Sequence, residues 1–131
     1  MEDEIFTISK NNIRTHSLRD MAQERLEDLN KISKTYKIIE EYYEIIKELI
    51  IAIMYSDGYK TLSHKMLIIY LERNYNEFHK SEIYLLDEIR KLRNNIVYYG
   101  LKVEKDFLIN HEKEIKSIIK KLFAIINVRK G

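Results

Sequence analysis

With 131 residues, 45% of them hydrophobic and 34% charged, the chain is long enough for one hydrophobic core and too apolar to stay disordered. It has no cysteine, no proline and three glycines, which excludes disulfide scaffolds, thiolate metal sites and cysteine nucleophiles and starves a sheet-rich fold of turn residues; an all-α protein is expected. The net charge of +2 conceals a split, because residues 1–58 carry 8 basic and 12 acidic side chains while residues 59–131 carry 15 and 9, which makes the second half the anion-facing one.

In chain order, residues 1–16 are poorly patterned, although Ile5, Phe6, Ile8 and Ile13 offer anchors for a short helix. From Ser17, placed as an N-cap, Ala22, Leu26, Leu29 and Ile32 recur at spacings of three and four and predict a first amphipathic helix. Ser33 is placed to cap the second. There Ile39, Tyr42, Ile46, Leu49 and Ile53 form one apolar stripe and Ile38, Tyr42, Ile45 and Leu49 another beside it. So wide an arc predicts burial on two sides, either at the centre of a bundle or against a second copy of the chain, hence an expected homodimer. Gly58 should end this helix, since glycine takes the left-handed position after a helix without a Cβ clash.

A third helix is predicted from Thr61 or Ser63 to Arg73, and the polar run Arg73-Asn74-Tyr75-Asn76 interrupts it. A fourth runs from Glu77 or Ser81 to Tyr99, with Leu85, Ile89, Leu92 and Ile96 on its stripe and Gly100 as its stop. A fifth starts near Glu104 and repeats Leu108, Ile115, Ile118, Ile119, Leu122 and Ile126. The simplest packing is a single-domain antiparallel up-and-down bundle of four to five helices. Over residues 113–131, Lys113, Lys116, Lys120, Lys121, Arg129 and Lys130 are opposed only by Glu114 and mark the C-terminal end as basic.

The longest wholly apolar stretch, Leu49 to Tyr55, is far below the ~18–20 residues that span a bilayer, and the acidic start Met1-Glu2-Asp3-Glu4 differs from a targeting segment, so a cytoplasmic protein without a membrane partner is expected. Twenty-two isoleucines beside abundant Lys, Glu and Tyr suit a heat-adapted proteome, although an AT-rich genome gives a similar bias. No Gly-x-Ser-x-Gly elbow and no glycine-rich phosphate loop occurs. His16, His64, His79 and His111 form no His-x-x-x-His pair, and His111 with Glu114 supplies only two ligands, so no metal and no cofactor is expected.

One segment carries chemistry: Arg90-Lys91-Leu92-Arg93-Asn94-Asn95-Ile96-Val97-Tyr98-Tyr99-Gly100. Arg93 lies four residues after Ile89 and three before Ile96, beside the apolar seam, where a guanidinium needs a partner. That partner is either a glutamate of the second helix, Glu41, Glu44 or Glu48, or an external phosphate or carboxylate.

Arg93-Asn94 followed by aromatic residues at a helix end resembles the signature of HEPN domains, small helical proteins of bacteria and archaea whose motif is Arg, usually a polar residue, then His after four to six positions. Upstream, Ile50-x-Ala52-x-Met54-Tyr55-x-x-Gly58-Tyr59-Lys60-x-x-Ser63-His64-Lys65-x-Leu67 resembles the family's buried helix, Gly-Tyr break and Ser-His-Lys helix start. Together the two stretches span about residues 35–125. The resemblance implies a helical bundle, commonly dimeric, in which the Arg holds a phosphate and the His assists metal-independent RNA cleavage, and in which many members are toxins beside a nucleotidyltransferase partner. Here the histidine position is filled by Tyr98 after four intervening residues and by Tyr99 after five. A phenol of pKa ~10 is available as a base about a thousandth of the time at neutral pH, against roughly three quarters for a histidine at ~6.5.

The expected site is therefore one that binds nucleotide or RNA without efficient catalysis: Arg93 for phosphate, Asn94 for hydrogen bonding, Tyr98 and Tyr99 for stacking on bases, with Lys60 and His64 as further candidates. The tyrosines alternatively close the end of the core. The competing readings are an active endoribonuclease and a ligand-free helical interaction module in which Arg93 is a structural ion pair.

Overall fold

In the computed structural model, which describes residues 3–128, the chain forms five helices, α1 (Asn12–Asp28), α2 (Thr35–Asp57), α3 (His64–Asn74), α4 (Lys80–Tyr99) and α5 (Asp106–Asn127), with a small two-stranded sheet of β1 (Ile5–Thr7) and β2 (Tyr59–Thr61). It is an all-α bundle, as the composition implies. Arg129 and Lys130 of the basic tail, and Glu2 of the acidic start, lie outside the described residues.

Helix α2 is the axis, packed by α1, α3, α4 and α5. Twelve of its residues are buried, from Ile39 to Ser56, and both apolar stripes are consumed inside one chain. The wide arc thus marks the centre of a bundle, and the inference of a dimer from that arc loses its basis. Side-chain links give the helix directions. Thr15 Oγ1 donates to Ala52 O at 2.8 Å while Arg25 reaches Glu41, so α1 runs against α2. Arg19 bonds Asn127 and Tyr42 bonds Glu112, so α5 runs with α2. Lys121 late in α5 reaches Glu82 early in α4, while Arg93 late in α4 reaches Glu44, close to where Tyr42 meets Glu112 early in α5, so α4 runs against α5.

Several sequence expectations need correction. The N-terminal segment forms a strand in place of a short helix: Ile5, Phe6 and Thr7 pair antiparallel with Thr61, Lys60 and Tyr59, and Ile8 N donates to Gly58 O at 2.9 Å. Ile13 is 82% exposed and anchors nothing. α1 begins at Asn12, five residues before Ser17, because Asn11 Oδ1 accepts from Arg14 N at 2.9 Å and Thr15 is buried against α2. At its other end the helix tightens into a single 3-10 turn (Leu29–Lys31), leaving Ile32 outside it in extended geometry. Ser33 caps nothing. The residue before α2 is Lys34, with no side-chain cap, and the helix depends on its buried face.

Other expectations hold. Gly58 (φ 90°) and Gly100 (φ 63°) both take the left-handed conformation after α2 and α4. At Gly58 an added Cβ would also lie 3.1 Å from Ile8 O, so the strand segment lies directly over the turn. Ser63 caps α3, its Oγ accepting from Met66 N at 3.3 Å and donating to Asp3 Oδ1 at 3.0 Å. α3 ends at Asn74 within the predicted break, where Tyr70 and Tyr75 hydroxyls both donate to Asp57 Oδ2, at 2.5 and 2.7 Å. Lys121 leaves the basic face of α5: its Nζ bonds both oxygens of buried Glu82, at 2.8 and 3.0 Å, and Glu77 O. Burial pushes the Glu82 carboxyl up, but Lys121 and the His79 amide outweigh it and hold it below its ordinary range. Lys113, Lys116 and Lys120 stay exposed.

Candidate functional site

Arg93 projects from the second half of α4 toward the first half of α2. Its guanidinium carbon stands 5.3 Å from the centre of the Tyr43 ring, and its Nη2 lies 3.6 Å from Glu44 Oε1. Among the described residues its hydrogen bonding is limited to one contact, Nη1 to Asn94 Oδ1 at 3.3 Å. A guanidinium has five N–H donors, and this one is only 19% exposed, so most of its donor capacity is unspent in a partly desolvated place.

Glu44, one of the three partners expected from the sequence, is already engaged by Lys47 Nζ at 2.6 Å. The other two belong to a different arginine. Arg25 of α1 meets Glu41 at 2.8 Å and Glu48 at 3.2 Å, and with 8% of its side chain exposed Glu48 is the more deeply buried of the two. Burial is the main influence raising the Glu48 carboxyl, and Arg25 opposes it. Glu48 Oε1 has no hydrogen-bond partner.

His64, the first residue of α3, also approaches the Tyr43 ring, with ring centres 5.8 Å apart. Arg93 and His64, 29 residues apart in sequence, therefore share one aromatic ring. His64 is an exposed residue, yet partial desolvation first, and then Lys47, Arg93 and Arg90, hold it below its ordinary pKa against Glu44, so its imidazole is mostly neutral at pH 7. Burial pushes the Tyr43 phenol up to about 12 despite Arg93 and Arg90, so it remains protonated. Arg90 is held by Asp87, Nε to Oδ1 and Nη2 to Oδ1 both at 2.9 Å, and Lys91 shares Asp87 at 3.2 Å. In that position the Asp87 carboxyl is raised by burial but lowered on balance by Arg90 and Lys91.

Arg93 itself lines a cavity of about 300 Å³ with Lys37, Glu40, Glu41 and Glu44, in which carboxylates outnumber the lysine.

The remaining sequence candidates do not join this cluster. At about 100° per residue, Tyr98 and Tyr99 leave α4 roughly 140° and 120° to either side of Arg93. They are 69% and 81% exposed, so they do not close the core either. Lys60 sits on β2 opposite Phe6 and lines a separate cavity of about 190 Å³ with Arg14 and Tyr55. The His111 ring packs at a 45° tilt against Phe107, 4.8 Å between centres, and no group of three potential metal ligands converges among the described residues. Sequence reading overlooked Tyr43, Lys47 and Arg90. The signals were the i, i+3 spacing of Arg90 and Arg93 and the i, i+4 spacing of Tyr43 and Lys47, each of which places two side chains on one helical face. No helix among the described residues is long and apolar enough to cross a membrane.

No protein-family model matches this chain, and neither a curated protein nor a solved structure shows significant similarity to it.

Proposed function

We propose that this is a HEPN-like helical protein that binds the phosphate of a nucleotide or RNA at the Arg93 and His64 flanks of Tyr43. The observation that carries the reading is the unspent guanidinium of Arg93, with one weak hydrogen bond and one 3.6 Å ion pair. Asn94 holds that guanidinium from its own helix. Tyr98 and Tyr99, exposed at the end of α4, are free to stack on bases of a bound strand without touching the phosphate. A nucleotidyltransferase partner, a homodimer and a cytoplasmic setting follow from the family resemblance and the composition and are carried here on those grounds alone.

The test is titration of AMP and of a short RNA at low salt into the protein and into Arg93→Ala. Loss of tenfold or more in affinity, with folding intact, supports the reading. Equal affinity for both proteins sinks it.

A second reading, metal-independent endoribonuclease, draws on His64. A neutral imidazole on the same ring as Arg93 is in the protonation state a general base needs, which the phenols of Tyr98 and Tyr99 are not. It predicts RNA cleavage across pH 6–9 that disappears in both Arg93→Ala and His64→Gln, and a clean preparation without cleavage excludes it.

A further inference from the structure

Four cavities among the described residues each carry at least one carboxylate: Asp28 at the end of α1, Glu72 between α3 and α4, Glu44 beside Arg93 and Glu112 beside Tyr42. The 190 Å³ cavity that Lys60 lines carries none. Its floor is apolar, because Met54 of α2 is 1% exposed and Leu67 of α3 3%, and Ile51 joins them from one turn earlier on α2. Two tyrosines and two cations surround that floor, Tyr55 of α2 and Arg14 of α1 with Tyr59 and Lys60 of β2.

These side chains are set in place by the fold itself. Asn11 Oδ1 accepts from Arg14 N at 2.9 Å and Asn11 N donates to Tyr55 O at 3.0 Å, so one residue fixes the start of α1 against the end of α2. Arg14 lays its guanidinium carbon 4.7 Å from the centre of the Tyr55 ring, which orients the group without neutralising it. Lys60 is set by the strand pair, opposite Phe6, and the next residue bonds back to β1, Thr61 Oγ1 donating to Glu4 O at 2.7 Å. The Tyr59 ring packs 5.8 Å from that of Tyr70, and Asp57, the carboxylate nearest to β2 in sequence, is committed to the hydroxyls of Tyr70 and Tyr75. Neither Arg14 nor Lys60 has a carboxylate partner among the described residues.

We infer that this cavity is a binding site for a small organic carboxylate with an apolar body about one ring in size, the body on Ile51, Met54 and Leu67 and the carboxylate on Arg14 and Lys60. Volume limits the body. An apolar cavity of about 150 Å³ takes one benzene ring, and drug-sized ligands need about 300 Å³ or more, so 190 Å³ leaves room for one ring or a short branched chain with its head group. Charge selects the head group, because two cations without a carboxylate beside a buried apolar floor favour an anion, and the planar fork of Arg14 matches the two oxygens of a carboxylate. A seated ligand also covers Leu62, 75% exposed and part of the same lining. The site shares no residue with the Arg93 cluster, so it stands or falls apart from the phosphate reading.

The experiment follows the amide NMR spectrum of isotope-labelled protein during titration with phenylacetate, with its uncharged isostere phenylacetamide, and with acetate, which lacks the ring. Phenylacetate, with about ten non-hydrogen atoms, should bind with a dissociation constant on the order of 1 mM. Its shifts should centre on Arg14, Ile51, Leu67 and the segment from Tyr59 to Leu62. Phenylacetamide and acetate should each bind about tenfold more weakly, the first for want of charge and the second for want of buried surface. Arg14→Gln and Lys60→Gln, at exposed positions, should each weaken phenylacetate about three- to tenfold and leave phenylacetamide unchanged. Equal binding of phenylacetate and phenylacetamide, or of phenylacetate and acetate, overturns the inference. So do shifts centred on another cavity, an absence of shifts at millimolar phenylacetate, or folded variants that both bind phenylacetate like the parent.

Discussion

Two arginines reach helix α2 from different helices and meet the same row of glutamates, with opposite outcomes. Arg25 of α1 finds Glu41 at 2.8 Å and Glu48 at 3.2 Å, and two carboxylates hold one guanidinium. Arg93 of α4 finds Glu44 at 3.6 Å, already held by Lys47 at 2.6 Å. Glu41, Glu44 and Glu48 are spaced three and four apart, so all three lie along one side of α2. What separates a structural arginine from an available one is the number of carboxylates left for it. Burial sharpens the contrast, because a deeply buried Glu48 needs Arg25, whereas Glu44 has two suitors.

Removing Arg25 should have the largest effect. Arg25→Ala strands a buried carboxylate and should lower the unfolding free energy by about 3 kcal/mol in urea titrations. Arg25 is the main influence pulling the Glu48 pKa down, so its loss lets that pKa rise further above 4.5. A carboxyl whose pKa is raised by folding costs stability above that pKa, and the cost disappears as pH falls through it. The penalty should therefore be greatest at pH 7–8 and shrink on acidification toward pH 4.5. A penalty independent of pH would remove Glu48 from the explanation.

Arg93→Ala comes next and should separate binding from folding. Nucleotide affinity should fall by tenfold or more, about 1.4 kcal/mol, while stability changes by less than about 1 kcal/mol, the range for a loose, partly exposed ion pair. Stability falling as far as in Arg25→Ala, with no change in binding, would make both arginines structural and favour the ligand-free interaction module.

Glu44→Gln should work in the opposite direction. Releasing Lys47 and Arg93 from their shared carboxylate should tighten nucleotide binding about two- to fivefold. Unchanged affinity would mean that the 3.6 Å pair does not restrain Arg93.

The smallest effect is expected at Tyr98→Ala and Tyr99→Ala. Both side chains are exposed, so stability should stay within about 0.5 kcal/mol of the parent. AMP affinity should not change either. A weakening confined to longer RNA would place these rings on the strand beyond the phosphate.

Legibility from the sequence depended on the range of the interaction. Gly58, Gly100 and Ser63 were readable as helix boundaries because a left-handed turn or a cap is decided within a few residues. Glu44 was among the named partners of Arg93 because helical spacing restricts which glutamates can share a side. The start of α1 was misplaced because Thr15 is held by Ala52, 37 residues away, and that bond favours entry at Asn11 over Ser17. β1 was invisible because a three-residue strand is defined by its partner more than by its own pattern.

By itself, the sequence determined an all-α bundle with a deeply buried second helix, since a 3.6-residue apolar period and scarce turn residues act locally. It also singled out Arg93 as a guanidinium beside an apolar seam. Only the tertiary structure decided that α2 is wrapped on its apolar arc within one chain, that Arg25 takes Glu41 and Glu48, and that Arg93 and His64 both approach the Tyr43 ring. The reason is that unlike charges on different helices compete for the same partners. Which pair forms depends on distances that only packing sets.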